Sequence, residues 1–271
     1  MEAARLVFKV PGKNALLISM LVAGLFAHSV FLVNQFTASD PGNQLLANWF
    51  QWSVLGAWGL ALAYLLLVIR NPNSSLGLFL IPLILGLIGL GQILRDSVPF
   101  KATTTINVWR IIHGVSLLVG TMFICFGVAF GIMYLVQSYR LKTRKRSNIK
   151  LRLPTLEFLQ SMNRLSLLTT VVALAVGLLS GVILNINREG QLSWLSGGIV
   201  VTFALFAWSL VACTLDVASK GSLGGRRSAY LVIANFVFLL LVLAIVLVSS
   251  HGQSPELGYL ARAELIREAV N

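Results

Sequence analysis

Seven apolar runs, each of membrane-spanning length, constrain this chain more than any other feature of it. They cover approximately residues 15–36, 49–69, 75–94, 109–137, 165–186, 194–217 and 229–250. A hydrocarbon core about 30 Å thick takes roughly 20 consecutive apolar residues as helix. Strands in lipid would leave backbone groups unpaired unless closed into a barrel, and runs this long are not the alternating ten-residue segments of a barrel. The expected fold class is therefore all-α, a polytopic membrane bundle of seven transmembrane helices forming one integral membrane domain over 1–271. Composition agrees: 57 % of the 271 residues are hydrophobic and 11 % charged, with a mean hydropathy of +0.85. A soluble domain carries about a quarter charged residues, so a water-soluble globule is excluded. Cys125 and Cys213 both lie inside apolar runs, which leaves neither a disulfide framework nor a cysteine-rich metal site.

Charge then sets the expected orientation. Arg5, Lys9 and Lys13 precede the first run, Arg70 ends the second, eight Lys and Arg residues lie in 138–164, and Lys220, Arg226 and Arg227 precede the last run. These segments hold fifteen of the 21 basic residues, while the intervening segments and the tail hold six of the nine acids. The positive-inside rule places the N-terminus in the cytoplasm and the 251–271 tail outside. No cleavable signal peptide is expected, because the first run is of spanning length and lacks a small-residue cleavage site after it. The net charge of +12 is read as cytoplasmic loops meeting anionic lipid, above all at 138–164, and not as a nucleic-acid surface. Gly127 with Gly131, and Gly177 with Gly181, have the spacing of faces on which neighbouring helices approach closely. Pro82, inside the third run, is expected to bend it.

Ionisable residues within spans are costly and mark functional candidates. His28 lies in the first run, Arg110 and His113 at the outer start of the fourth, Asp216 near the inner end of the sixth, and His251 just beyond the seventh. Alternating directions put all three histidines in the outer half of the membrane. Two histidines from different helices at one depth suit a bis-imidazole haem iron, and Arg110, one turn before His113, suits a propionate. The plain alternatives are a histidine at the headgroup boundary with Trp109 as an aromatic-belt residue, and an Asp216 paired with Lys220 or Arg226. No nucleophile–base–orienter set, HExxH motif or nucleotide loop is found.

The run WRIIHGVSLLVGTMFICFGVAFGIMYLVQSYRLK resembles the helix of cytochrome c assembly proteins of the CcsA/CcmC type, including their HemX-like branch, in which an external His opens a span ending in Tyr-Leu and a basic tail. LRLPTLEFLQSMNRLSLLTTVVALAVGLLSGVIL resembles their Leu-Pro-x-Leu-Glu linker and following helix. GGRRSAYLVIANFVFLLLVLAIVLVSSHG resembles the entry to a last span ending in a second external His. The likeness runs from about 105 to 253. It implies that His113 and His251 are the axial ligands of haem, and that His28 corresponds to an intramembrane haem histidine of longer members. The family's Trp-Trp-Asp signature is absent between the fifth and sixth runs, where NINREGQLSW leaves Trp194 as its remnant.

What the resemblance implies is a haem-handling protein of cytochrome c maturation, working with another assembly protein and an apocytochrome. Its host would be the bacterial inner (plasma) membrane, with the plastid thylakoid membrane as the alternative. A non-catalytic accessory or regulatory subunit of the same fold, without haem transfer, is the competing expectation, and a small-solute transporter the weakest.

Overall fold

A computed structural model describes residues 13–37, 49–72, 74–95, 108–143, 152–189, 197–218 and 224–248. Among the described residues the regular structure is entirely helical: α1 (Lys13–Thr37), α2 (Trp49–Arg70), α3 (Gly77–Ile93), α4 (Val108–Thr143), α5 (Leu156–Glu189), α6 (Gly197–Ala218) and α7 (Gly224–Val248). Six of these are long and apolar enough to cross a membrane, and α3, with 17 residues, is the shorter seventh. The chain is an integral membrane protein. Helix is the form that satisfies every backbone N–H and C=O within its own segment, which lipid demands.

Glycine contacts report how the helices run. Gly114, Gly56 and Gly59 join α2 to α4 through Trp52, Leu118 and Met122, so the residue numbers of α2 and α4 rise in step and the two are parallel. Gly91 meets Phe50 and Ser53, and Gly56 meets Leu87, so α3 runs against α2. Along α4, residues 113, 120 and 127 meet 181, 174 and 166 of α5, an antiparallel pair and the most extensive helix contact in the molecule. Residues 127, 131 and 134 of α4 meet 232, 229 and 225 of α7, again antiparallel. Trp208 stacks on Phe238 and Ser209 bonds Asn235, setting α6 against α7. On α1, Ser29 receives the Trp58 indole N–H at 2.8 Å and Phe31 meets Phe50 edge to face, so α1 opposes α2. Directions therefore alternate through all seven helices.

The largest apolar core lies where α2, α3, α4 and α5 meet, around Tyr64, Leu60, Phe126, Phe130, Met133 and Leu159. Gly127 and Gly131 let α7 close over it: a Cβ at Gly131 would sit 2.6 Å from Val232 and 3.0 Å from the Ala229 carbonyl. The 138–164 segment, read from sequence as a loop between spans, is helical at both its ends. Helix α4 continues to Thr143, and α5 begins at Leu156, nine residues before its apolar run. The reason is local: Thr155 Oγ1 accepts the Phe158 N–H at 3.3 Å as an N-cap, and Glu157 sits in the first turn, where the helix dipole favours it. Residues 144–151 lie outside the described residues, as do 251–271. Pro82 stands five residues into α3, whose helix continues through it.

Gly131→Ala should cost about 1–3 kcal/mol by overpacking α4 against α7. A lowered thermal midpoint in detergent checks this, with Gly86→Ala, whose new methyl meets nothing within 4 Å, leaving the midpoint unchanged.

Candidate functional site

His113 sits five residues into α4, half-buried against α5. Its Nδ1 lies 2.7 Å from the Gly177 carbonyl oxygen. A carbonyl only accepts, so Nδ1 carries the hydrogen and donates it, and the Nε2 lone pair remains on the other side of the ring. Gly181, one turn further along α5, makes room: a Cβ there would fall 2.9 Å from both Cε1 and Nδ1 of the imidazole. The adjacent Ser180 hydroxyl, fully buried, is directed back to its own helix at Val176 and Gly177, 2.7 and 3.0 Å away. The two glycines read from sequence as helix-packing devices thus form a seat for an imidazole, a role that spacing alone does not reveal.

Around this seat lie further polar and aromatic groups. The Trp52 indole of α2 lies on Gly114, next to His113. Trp109 and the half-buried Arg110 are one turn earlier on α4, at the same end of the bundle as Arg95, whose guanidinium stands 5.4 Å over the Phe50 ring. Trp52 was not legible as a site residue, because nothing in the sequence fixes α2 beside the start of α4.

His28 is held elsewhere. It pairs with the Val54 backbone on α2, beside the Ser29–Trp58 bond, and α1 packs along α2. The structure does not bring His28 and His113 together. His251 and Trp194 lie outside the described residues. The α4–α7 register bears on where α7 ends. Partners fall from 134 with 225 to 127 with 232, so fourteen further residues of α4, to His113, carry α7 to about residue 246 by equal helical rise. Helix α7 is described to Val248, which lies about level with His113. Among the described residues no three His, Cys, Asp or Glu side chains gather into a metal-binding group.

A second polar region lies where α7 meets α4, α5 and α6. The Ser209 hydroxyl donates to Asn235 Oδ1 at 2.9 Å. Asn163, Thr170 and Ser228 are fully buried, and Asn163 Nδ2 and Oδ1, Thr170 Oγ1 and Ser228 Oγ have no hydrogen-bond partner among the described residues. Asp216 is buried nearby, and it and Arg164 are both electrostatic neighbours of Cys213. Arg226, offered from sequence as a partner of Asp216, instead reaches Ser138 at 3.5 Å. Lys220 lies outside the described residues.

No family model, no curated protein and no solved structure matches this chain.

In ¹⁵N spectra of histidine-labelled protein, His113 should show the neutral tautomer protonated at Nδ1. Gly181→Ala should displace the ring and mix the tautomers, and a His113 protonated at Nε2 in the unsubstituted protein would contradict the seat described above.

Proposed function

We propose that this chain is a haem-handling membrane protein of cytochrome c maturation, in the bacterial inner (plasma) membrane, with His113 and His251 as axial ligands at the outer face. One observation carries the reading. His113 donates Nδ1–H to a backbone carbonyl, the arrangement that fixes the ring and the basicity of a metal-ligating histidine, and so leaves Nε2 as the ligating atom. It does so about level with Val248 of α7, three residues before His251 in the sequence.

The donor set fits the group. His113 and His251 would hold the iron through imidazole nitrogens, and Arg110, one turn from His113, would offer a cation to a propionate. Bound haem would supply a redox-active iron and a porphyrin to be presented to an apocytochrome, with a further assembly protein as partner. The chain's own part is to hold: α5 fixes the imidazole, and Trp52 offers an indole beside it.

The same proposal includes seven spans, a cytoplasmic N-terminus and an external C-terminus. Parallel α2 and α4 require the chain to return between them, and α3 is the element that runs back. Arg70, Arg140, Lys142, Arg152, Arg226 and Arg227 gather at the bundle end opposite His113, where Ser75 N–H donates to the Arg152 carbonyl at 2.9 Å. Anionic lipid at the 138–164 segment belongs to this reading.

A second reading, an accessory or regulatory subunit of the same fold without haem transfer, is favoured by one feature: the NINREGQLSW segment lacks the Trp-Trp-Asp signature and keeps Trp194 alone.

Absorption spectra of detergent-purified protein with added hemin decide between them. A bis-imidazole Soret and α/β pattern is expected, converted to high spin or lost in His113→Ala and in His251→Ala, and unchanged in His28→Ala. Haem that survives the double replacement but disappears with His28→Ala sinks the assignment, and colourless protein from haem-replete cells selects the second reading. For topology, reporter fusions at Lys145 and Gly258 should fall on opposite sides of the membrane, and the same side for both would overturn it.

A further inference from the structure

A groove of about 270 Å³ opens on the lipid-facing side of the bundle, between α3, α4 and α7. Its walls are apolar: Leu78 and Pro82 from α3, Val128, Ala129 and Ile132 from α4, and Phe236 from α7. Neither the candidate haem seat nor the polar seam uses it. Its depth follows from helix register. Arg70 ends α2 eleven residues, or three turns, beyond Gly59, which meets Met122 of α4, so Arg70 is level with about residue 133 of α4 and on the same side of α2 as Gly59. On α7, Gly225 meets Tyr134 and the Ala229 carbonyl approaches Gly131, so Arg226 is level with about residue 133 as well. Ile132, at the rim of the groove, therefore has one exposed arginine level with it on each of α2 and α7. Arg226 leans toward α4, with its Nη2 at 3.5 Å from Ser138 Oγ. Beyond the rim, exposed Tyr139 continues the Val128–Ile132 side of α4 toward the basic end.

We propose that this groove is a binding site for one anionic phospholipid, an acyl chain lying against Val128, Ile132 and Phe236 while the phosphate is held between Arg70 and Arg226. Charge complementarity selects the occupant. An apolar slot alone accepts any acyl chain, but two guanidiniums at the level where it opens prefer a phosphate whose net charge is not cancelled by a choline. The site is independent of the haem reading, and of the 144–146 basic cluster outside the described residues.

The test uses the full chain, delipidated in detergent and titrated with phosphatidylglycerol or phosphatidylcholine of identical acyl chains, with bound lipid counted by native mass spectrometry. Phosphatidylglycerol should bind at least about tenfold more tightly. Arg70→Gln with Arg226→Gln should bring it down to the phosphatidylcholine level, and Ile132→Trp, which fills the groove, should remove both lipids. Replacing Arg144, Lys145 and Arg146 by Gln, which weakens anionic-lipid contact at the 138–164 segment, should leave in place the lipid that Ile132→Trp removes. If Ile132→Trp does not fold, Leu78→Trp fills the groove from the facing wall. Equal affinity for the two lipids, a preference that survives loss of both arginines, or lipid that persists in the filled groove overturns the proposal.

Discussion

The close approach of neighbouring helices to α4 is the contact on which the rest of the bundle depends. In lipid there is little hydrophobic gain in joining two apolar helices, so association rests on van der Waals packing and on polar groups satisfied across the interface. Helix α4 supplies glycine at 114, 120, 127 and 131, and α2, α5 and α7 each meet it at one or more of these positions. The facing helix α5 returns the arrangement with Gly177 and Gly181. Because the glycines are spread from 114 to 131 along α4, they fix both the distance of its neighbours and their register. Register in turn decides which polar side chains share a depth, and so both the His113 seat and the arginines beside the α3–α4–α7 groove are consequences of the packing.

That dependence also separates what could be read from the sequence from what could not. Apolar run length gave the helices with boundaries close to those observed, because a hydrocarbon medium leaves the backbone little choice of structure. Departures came where ends are set by local chemistry: Thr155 and Glu157 start α5 within a stretch that hydropathy alone reads as loop. His113 was legible as a candidate because an ionisable group in a span is conspicuous. Its partner was not, since a backbone carbonyl carries no residue-type signature and the Gly177–Gly181 spacing serves packing equally well. Asn163, Thr170 and Ser228 escaped for a related reason. Scattered polar residues in apolar helices acquire meaning when three helices are brought into register.

The polar seam and the imidazole seat solve the same physical problem differently. At His113 a single helix carbonyl, already engaged in its own helix, takes a further donor and fixes a ring. Across α6 and α7 a side-chain hydroxyl and an amide satisfy one another. The first leaves a nitrogen lone pair available for coordination, and the second closes on itself. A histidine seated on a backbone is thereby positioned without committing a second side chain, so neighbouring residues such as Trp52 and Arg110 are free to differ in chemistry.

The pairing of α4 with α7 joins segments about a hundred residues apart in sequence and has a consequence for biosynthesis. During synthesis α1 to α6 precede α7, and through that interval Gly131, which meets Val232, Ala229 and Ile233 of α7, lacks the helix that covers it. Emergence of α7 is then the event that covers this face of α4. A nascent chain arrested before that point exposes a shaped, small-residue surface that a membrane chaperone or protease can read as a signature of incompleteness.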